Sequence, residues 1–435
     1  MLLPEDFTQH TKAIMGDNLY RLFEQGLQEE TPVSIRLNPS ACLISGNGRQ
    51  ASAESAHTIV EQAHGKVPWC EEGYYLHERP LFTFDPLLHA GAYYVQEASS
   101  MFLSHVLHQI VHEPVLMLDL CAAPGGKSTC ALSSLPDGSV LFSNEPMRNR
   151  AQILSENLQK WLLSDSTPPR IASIVTSNYA SDYQRSSLLF DLILADVPCS
   201  GEGMFRKDDG AVSEWSSKNV EKCWHLQREI IEDIWPCLKP GGILVYSTCT
   251  FNTWENEQNV AWISEKLGAD FVKIPVEECW NITGSLLEGF QQPVYRFIPG
   301  KTRGEGLFMA VLRKGGGASS VDSPQIRLTQ FQKSQNRLAA RGKGLHLLPN
   351  EFLATMREAA DKPLVPLTWQ QAITYLRREA LVLPADTPKG IVRVGYHGLT
   401  LGLAKNLGNR ANNLYPKEWR IKSTHIPMQQ NIITI

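Results

Sequence analysis

Two cysteines stand where strands of this chain should end. In "ADVPCSGEG" (195–203), Asp196 and Cys199 follow an apolar run, and in "VYSTCT" (245–250), Cys249 follows another. The chain has nine cysteines, an odd number, and none forms a CxxC pair. Zinc ligation of the usual spacing is therefore disfavoured, and a reducing compartment is the simpler reading. A single cysteine is first expected to be a small buried apolar residue. Two thiols at neighbouring strand ends, beside a carboxylate, point instead to chemistry.

A third segment narrows that chemistry. "DLCAAPGGKS" (119–128) runs from a strand through a turn of small residues into a helix start. Ala122, Ala123, Gly125 and Gly126 allow a ligand to approach the backbone closely, and the helix start presents free N–H groups. The spacing is neither that of a P-loop nor GxGxxG, so a triphosphate or a dinucleotide is disfavoured. Glu145, at the end of the next strand, is placed to accept hydrogen bonds from ribose hydroxyls. Standing by itself it would equally suit a helix N-terminus. Together these features suit an adenosine ligand without phosphates, and S-adenosylmethionine fits. Thiols beside a methyl donor suit methylation of C5 of cytosine. That carbon is too weakly nucleophilic unless a thiolate adds at C6, the methyl is taken at C5, the C5 proton leaves and the thiol is eliminated. A free thiol near pKa ~8.5 needs help to ionise. Asp196 could contact the N3/N4 edge of the base or orient the cofactor. Spacing alone does not decide which cysteine attacks.

The elements that must position these residues alternate. Strands are expected over 115–120, 139–145, 170–176, 190–198 and 241–248, with helices near 127–135, 148–162, 217–238 and 255–267. Apolar strands alternating with helices give an α/β fold with a parallel sheet covered on both faces. Ligands of such sheets bind at the carboxyl ends of the strands. The loops "CAAPGGKS", "NEPMRNR", "TSNYAS", "DVPCSGEG" and "STCTFN" all fall there. "VYRFIP" and "GLFMAVLR" have no helix between them and should close the sheet as an antiparallel pair.

The bulk properties bound the rest. With 435 residues, two or three domains are expected. No apolar run approaches the roughly 18–20 residues of a membrane helix, and the N-terminus lacks a basic-then-apolar signal pattern, so a cytoplasmic chain is expected. The net charge is −4, yet the basic residues are unevenly spread. No acid occurs from Gln325 to Pro349, where Arg327, Lys333, Arg337, Arg341 and Lys343 fall, and Glu418 alone opposes seven bases from Lys389 to Lys422. Such patches suit a docked nucleic acid or an ordinary solvated surface about equally. "KGGGASSVDSP" (314–324) has linker composition.

"DLCAAPGGKS", "ADVPCSGEGMFRKD" and "VYSTCTFNTWENE" together resemble the Sun family of RNA 5-methylcytosine methyltransferases, most closely the bacterial 16S ribosomal RNA branch with a C-terminal extension. "TPVSIRLNP" (31–39), "HAGAYYVQEASSMF" (89–102) and "LAKNLGNRANNLYPKEWRIKS" (403–423) extend the likeness over most of the chain. The resemblance implies a Rossmann-like class I methyltransferase sheet over 91–314. It also implies an N-terminal α+β RNA-binding region (1–90), a linker (315–325) and a β-rich, PUA-like RNA-binding region (326–435). It makes Cys249 the nucleophile and Cys199 the residue assisting release. It assigns S-adenosylmethionine to Cys121, Ala122, Ala123, Pro124, Gly125, Gly126 and Lys127, with Glu145 and Asp196.

The family usually has an acid after the third strand. Here Tyr179 takes that slot, with Asn178 beside it as a candidate adenine contact. Arg206 and Lys207 are expected to hold phosphates, with Met204 and Phe205 at the flipped nucleotide or, for Phe205, in the core. Lys405, Arg410, Lys417 and Arg420 are expected on RNA phosphates, with Tyr415 and Trp419 packing or stacking nearby. The expected partner is 16S rRNA or the small subunit, the chain acting as a monomer without metal. A tRNA substrate, exchanged cysteine roles as in DNA cytosine methyltransferases, and a non-catalytic RNA-binding assembly factor are the alternatives.

Overall fold

Alternation of apolar strands with helices produces a parallel central sheet, as expected. The computed structural model describes residues 3–41, 63–164, 169–317, 322–340, 342–423 and 425–428. Part of the expected linker (318–321) and Arg341 lie outside these residues. Three sheets are formed. The first has the order β2-β3-β1-β4, from β1 (Val33–Leu37), β2 (Ala63–Lys66), β3 (Gly73–Leu76) and β4 (Tyr93–Val95).

The central sheet contains β5 (Leu116–Asp119), β6 (Val140–Asn144), β7 (Ala172–Thr176), β8 (Phe190–Asp196) and β9 (Leu238–Thr248). It is completed by β10 (Ala269–Phe271), β11 (Tyr295–Phe297), β12 (Leu307–Lys314) and β13 (Leu347–Leu348). Its order is β10-β12-β9-β8-β5-β6-β7-β13, with β11 beside β12. Strands β5 to β9 pair in parallel, and the chain reverses its direction across the sheet between β5 and β8. The loops after β5 and β8 therefore diverge at a switch point, where ligand crevices open. β11 and β12 pair antiparallel, as anticipated, and β12 also closes antiparallel on β9. Both faces are apolar and covered. Leu192, Leu194 and Val245 enter one core; Leu118, Ile193 and Tyr246 enter the other.

Residues 324–358 belong with this sheet rather than with a separate C-terminal region. The helix Pro324–Ala339 buries Leu328 and Phe331, and Phe331 meets Phe142 of β6 edge-on at 5.3 Å. β13 adds antiparallel to β7, and Leu353 of the helix Glu351–Glu358 enters the core of the sheet. The expected region 326–435 thus divides in two, because an amphipathic helix covers apolar surface left by β6. Arg327, counted above in a basic patch, is buried, donates to Leu189 O and pairs with Asp191.

The third sheet has the order β14-β15-β16-β17, from β14 (Leu364–Pro366), β15 (Gly390–Tyr396), β16 (Leu399–Asn406) and β17 (Ala411–Asn413). Its core is continuous with the first sheet. Trp369, Tyr375 and Val392 share a cluster with Ile35, Tyr74 and Leu87, and Trp369 Nε1 donates to Phe84 O. Tyr415 is 1% exposed in this cluster, so it packs rather than stacks on RNA. Trp419 lies against Phe352 and under the Lys160 ammonium.

The N-terminal helix Glu5–Gly26 braces the site. It breaks at Gly16 (φ +68°), a left-handed position that favours glycine. Phe7 packs on Phe205 and Trp215, and Phe23 on Phe251. Behind Phe251, Arg296 of β11 and Glu257 form a pair that is buried on both sides. Arg296 Nε donates to Glu257 Oε1 at 2.7 Å, and its NH1 donates to Phe251 O at 2.9 Å. Arg296→Met strands the Glu257 charge and should cost about 3–5 kcal/mol, whereas adding Glu257→Leu should recover most of it. Urea denaturation midpoints of the two variants check this.

Candidate active site

The loop after β5 is held by its carbonyls. Arg150 donates to Ala123 O, and Asn157 Nδ2 donates to Pro124 O at 2.8 Å. Gly125 (φ +117°) precedes the helix Gly126–Ser134, whose first turn carries Lys127. A Cβ on Gly126 would sit 3.4 Å from the Tyr94 ring, so the turn is closely walled. Beneath it, Asp119 is fully buried and accepts from Ser128 Oγ at 2.6 Å. Burial pushes its pKa up to about 7.

The ends of β6 and β7 carry the residues expected at adenosine. Glu145 is 2% exposed, accepts the Met147 N–H and lies 3.2 Å from Arg150. Asn144, which the sequence did not single out, donates to both Leu120 O and Asn178 O and so ties three loops together. Asn178 departs from expectation. Its Nδ2 donates to His346 O and its Oδ1 accepts from His346 N, so the amide holds the C-terminal extension rather than standing free for adenine. Tyr179 is 72% exposed. The added segment before β13 claims the amide because its own backbone groups need partners.

The two cysteine loops meet across β8 and β9. Cys199 Sγ and Cys249 Sγ are 3.3 Å apart. Asp196 accepts from Lys127 Nζ at 2.8 Å and from Ser247 Oγ at 2.7 Å. Burial pulls the Lys127 ammonium down, but Asp196, Asp119 and Cys249 more than offset it, and its pKa is raised. The hydrogen bond to Cys249, then burial, then the Cys249 charge push the Cys199 thiol well up. Of the two thiols, Cys249 shares a cavity wall with Lys127. Lys127 was expected only at the cofactor; its reach to Asp196 depends on strand order, which no local pattern contains.

Two buried carboxylates, also missed, fix the pair. Glu202, on the Cys199 loop, accepts from Phe251 N, Asn252 N and Asn252 Nδ2 on the Cys249 loop, and from Trp215 Nε1. Glu255 reciprocates by accepting from Ser200 N, Ser200 Oγ and Gln227 Nε2. Burial, then the Glu202 charge, push its pKa up to about 7. Gly203 N donates to Cys249 O at 2.7 Å, and a Cβ on Gly203 would lie 2.7 Å from that oxygen, so no larger residue fits. The only signal in the sequence was the nearness of these acids to the cysteines.

A cavity of about 360 Å³ joins these parts, with Cys121, Lys127, Asp196, Met204, Cys249 and Glu305 in its wall. Ala122, Ala123, Pro124 and Gly126 also face it, as does Lys207, while Glu145 and Asn178 stand apart. The walled glycine turn and the buried Glu145 fit an adenosine-containing ligand without phosphates. Phe205 is buried in the aromatic cluster. Arg206 is not a phosphate ligand. Its side chain is 4% exposed, donates to Gly26 O and Gly304 O, and faces Glu305. It is placed there because Phe205 turns into the core and carries its neighbour behind the loop. Lys405, Arg410, Lys417 and Arg420 are exposed on the third sheet and the segment after it. Among the described residues no group of three or more His, Cys, Asp or Glu gathers as a metal site, and no helix is long and apolar enough to cross a membrane.

Comparison with known proteins bears on this arrangement. A family model described as 16S rRNA methyltransferase RsmB/F matches residues 106–313. A model of the N-terminal domain of 16S rRNA methyltransferase RsmF matches 3–98, and one of the methyltransferase RsmF PUA domain matches 362–421. Ribosomal RNA small subunit methyltransferase F of Pectobacterium atrosepticum is 32% identical over 89% of this chain and 80% of its own length. The protein of the same name from Escherichia coli is 29% identical over 95% of this chain and 96% of its own. In fold, the chain is similar to NSun6 from Pyrococcus horikoshii with SFG, at a TM-score of 0.57 and 19% identity, over 72% of this chain and 99% of that one. A methyltransferase homolog from Pyrococcus horikoshii gives 0.56 and 22%, over 72% and 100%. With its glycine turn, paired thiols and C-terminal PUA domain in place, the chain belongs to the RsmF family of S-adenosylmethionine-dependent methyltransferases.

Proposed function

We propose that this chain methylates C5 of a specific cytosine in 16S ribosomal RNA through a covalent bond between Cys249 and C6. The observation that carries the reading is that Cys249, which shares a cavity wall with the Lys127–Asp196 ion pair, lies 3.3 Å from Cys199. The names of the relatives support small-subunit ribosomal RNA as substrate. Residues Cys121 to Lys127, with Glu145, would hold S-adenosylmethionine, which supplies an electrophilic methyl group when bound.

The residues of the chain then have distinct tasks. Lys127 stands on the cavity wall with Cys249, the nucleophile. Cys249 Sγ adds to C6, which places electron density on C5 and toward N3, and the Lys127–Asp196 pair meets charge at that edge. After C5 is methylated, Cys199 assists removal of the C5 proton, the Sγ–C6 bond breaks and aromaticity returns. The target must be unpaired or flipped to reach the cavity. Lys207, at the cavity wall and partly exposed, is placed for a phosphate. The exposed bases of the C-terminal module extend that contact.

RNA containing 5-fluorocytosine tests the chemistry, since its C5 has no proton to lose. Cys249→Ala should abolish the covalent adduct and lower methyl transfer on the order of 10³-fold or more. Cys199→Ala should still form the adduct and release it slowly. Normal trapping by Cys249→Ala, with none by Cys199→Ala, would reverse the roles. Bisulfite mapping of methylated ribosomal and transfer RNA names the base and separates the two substrates.

A separate expectation concerns the module. Replacing Lys405, Arg410, Lys417 and Arg420 together by Ala should weaken RNA binding and reduce the slope of log K against log salt by about 0.7–0.9 per lost phosphate contact. An unchanged slope in filter binding would leave the module a structural cap.

A further inference from the structure

One carboxylate in the cavity, Glu305, has no assigned task. Glu305 precedes β12 in "TRGEGLF", and its main chain is fixed on both sides. Its N–H donates to Glu97 Oε1 at 2.9 Å, and the preceding Gly304 O accepts from Arg206. The following Gly306 (φ +122°) runs so close to the loop of Cys249 that a Cβ there would lie 2.6 Å from Phe251 Cζ. Glu305 is a residue of the cavity wall that also contains Cys249.

Three carboxylates line this cavity and differ in their partners; Glu97 accepts from the backbone N–H groups of Ser99, Ser100 and Glu305. Asp196 has one oxygen engaged by Lys127 and the other by Ser247, on the cofactor side. Glu305 is 4% exposed, and among the described residues neither of its oxygens takes a hydrogen bond. Arg206 Nε at 3.4 Å and Lys207 Nζ at 3.5 Å oppose its charge from beyond good hydrogen-bond range. Burial pushes its pKa up, and these two cations pull against that. A buried acceptor without a donor is costly, and such a group calls for a partner.

Glu305 lines the cavity together with Met204 and Lys207, whose side chains reach solvent. A cytosine with C6 at Cys249 carries its ribose on N1, the atom bonded to C6. Its sugar therefore lies toward the nucleophile's loop, against which Glu305 and Gly306 run, while N3 and N4 lie across the ring. We propose that Glu305 accepts a hydrogen bond from the ribose 2′-hydroxyl of the target nucleotide, so that the site selects RNA over DNA at that position. The 2′-hydroxyl is the donor that distinguishes the two polymers. Lys207 beside it takes the adjoining phosphate. The assignment rests on the cytosine-C5 reading above.

Methyl transfer is measured on an RNA fragment carrying the mapped cytosine and on the same fragment with a single 2′-deoxycytidine there. The wild-type enzyme should lose about 10- to 100-fold in kcat/KM on the deoxy substrate. Glu305→Met should lose a similar factor on the RNA, lose little more on the deoxy substrate, and keep its affinity for S-adenosylmethionine. Equal wild-type rates on the two substrates overturn the assignment and need no variant to fold. So does a Glu305→Met enzyme with full wild-type discrimination between them. Failure of the functional reading shows itself differently, as wild-type enzyme that neither methylates C5 nor forms an adduct with 5-fluorocytosine.

Discussion

The site depends on a reciprocal clasp between two buried carboxylates. Glu202, just past Cys199, accepts from the backbone beyond Cys249, and Glu255, beyond Cys249, accepts from Ser200. Asn252 Nδ2 donates to both. Each loop supplies the acceptor for the other's donors, so neither can shift without leaving a buried group unpaired. A partly satisfied network of this kind is costlier than an apolar core, which makes the geometry all-or-none. The thiols at 3.3 Å are its consequence.

Outer layers brace the clasp. The Arg296–Glu257 pair takes up the Phe251 carbonyl from behind. The N-terminal helix covers Phe205, Trp215 and Phe251 with Phe7 and Phe23. Arg36 of β1, fully buried, donates to Gln96, Ser133 and Thr129 and ties the first sheet to the helix that carries Lys127. The third sheet packs on the first, not on the cysteine loops. The RNA-facing candidates on it are therefore separated from the chemistry by a shared core.

Much of this was legible in the chain. Runs such as "VLMLDL" and "FDLILADVP" are largely apolar, as strands covered on both faces are, and alternate with helical segments. The glycine turn, Glu145, Asp196 and both cysteines could be placed at strand ends for the same reason. The reading failed where a side chain was judged by type. Arg206 and Arg327 are cations that went inward, each because carbonyls and a carboxylate awaited it there. Asn178 was claimed by a backbone segment 168 residues away. Tyr415 filled a core formed by two separate sheets.

The sequence by itself determined the kinds of groups present and the edge of the sheet on which they stand, since hydrophobic period and turn residues are local signals. Which groups meet was decided only by tertiary structure. Lys127 reaches Asp196 across 69 residues, and Cys199 reaches Cys249 across 50. Those distances follow from the strand order β6-β5-β8-β9. Strand order is settled by how whole faces bury against one another, so it has no counterpart in any short stretch of the chain.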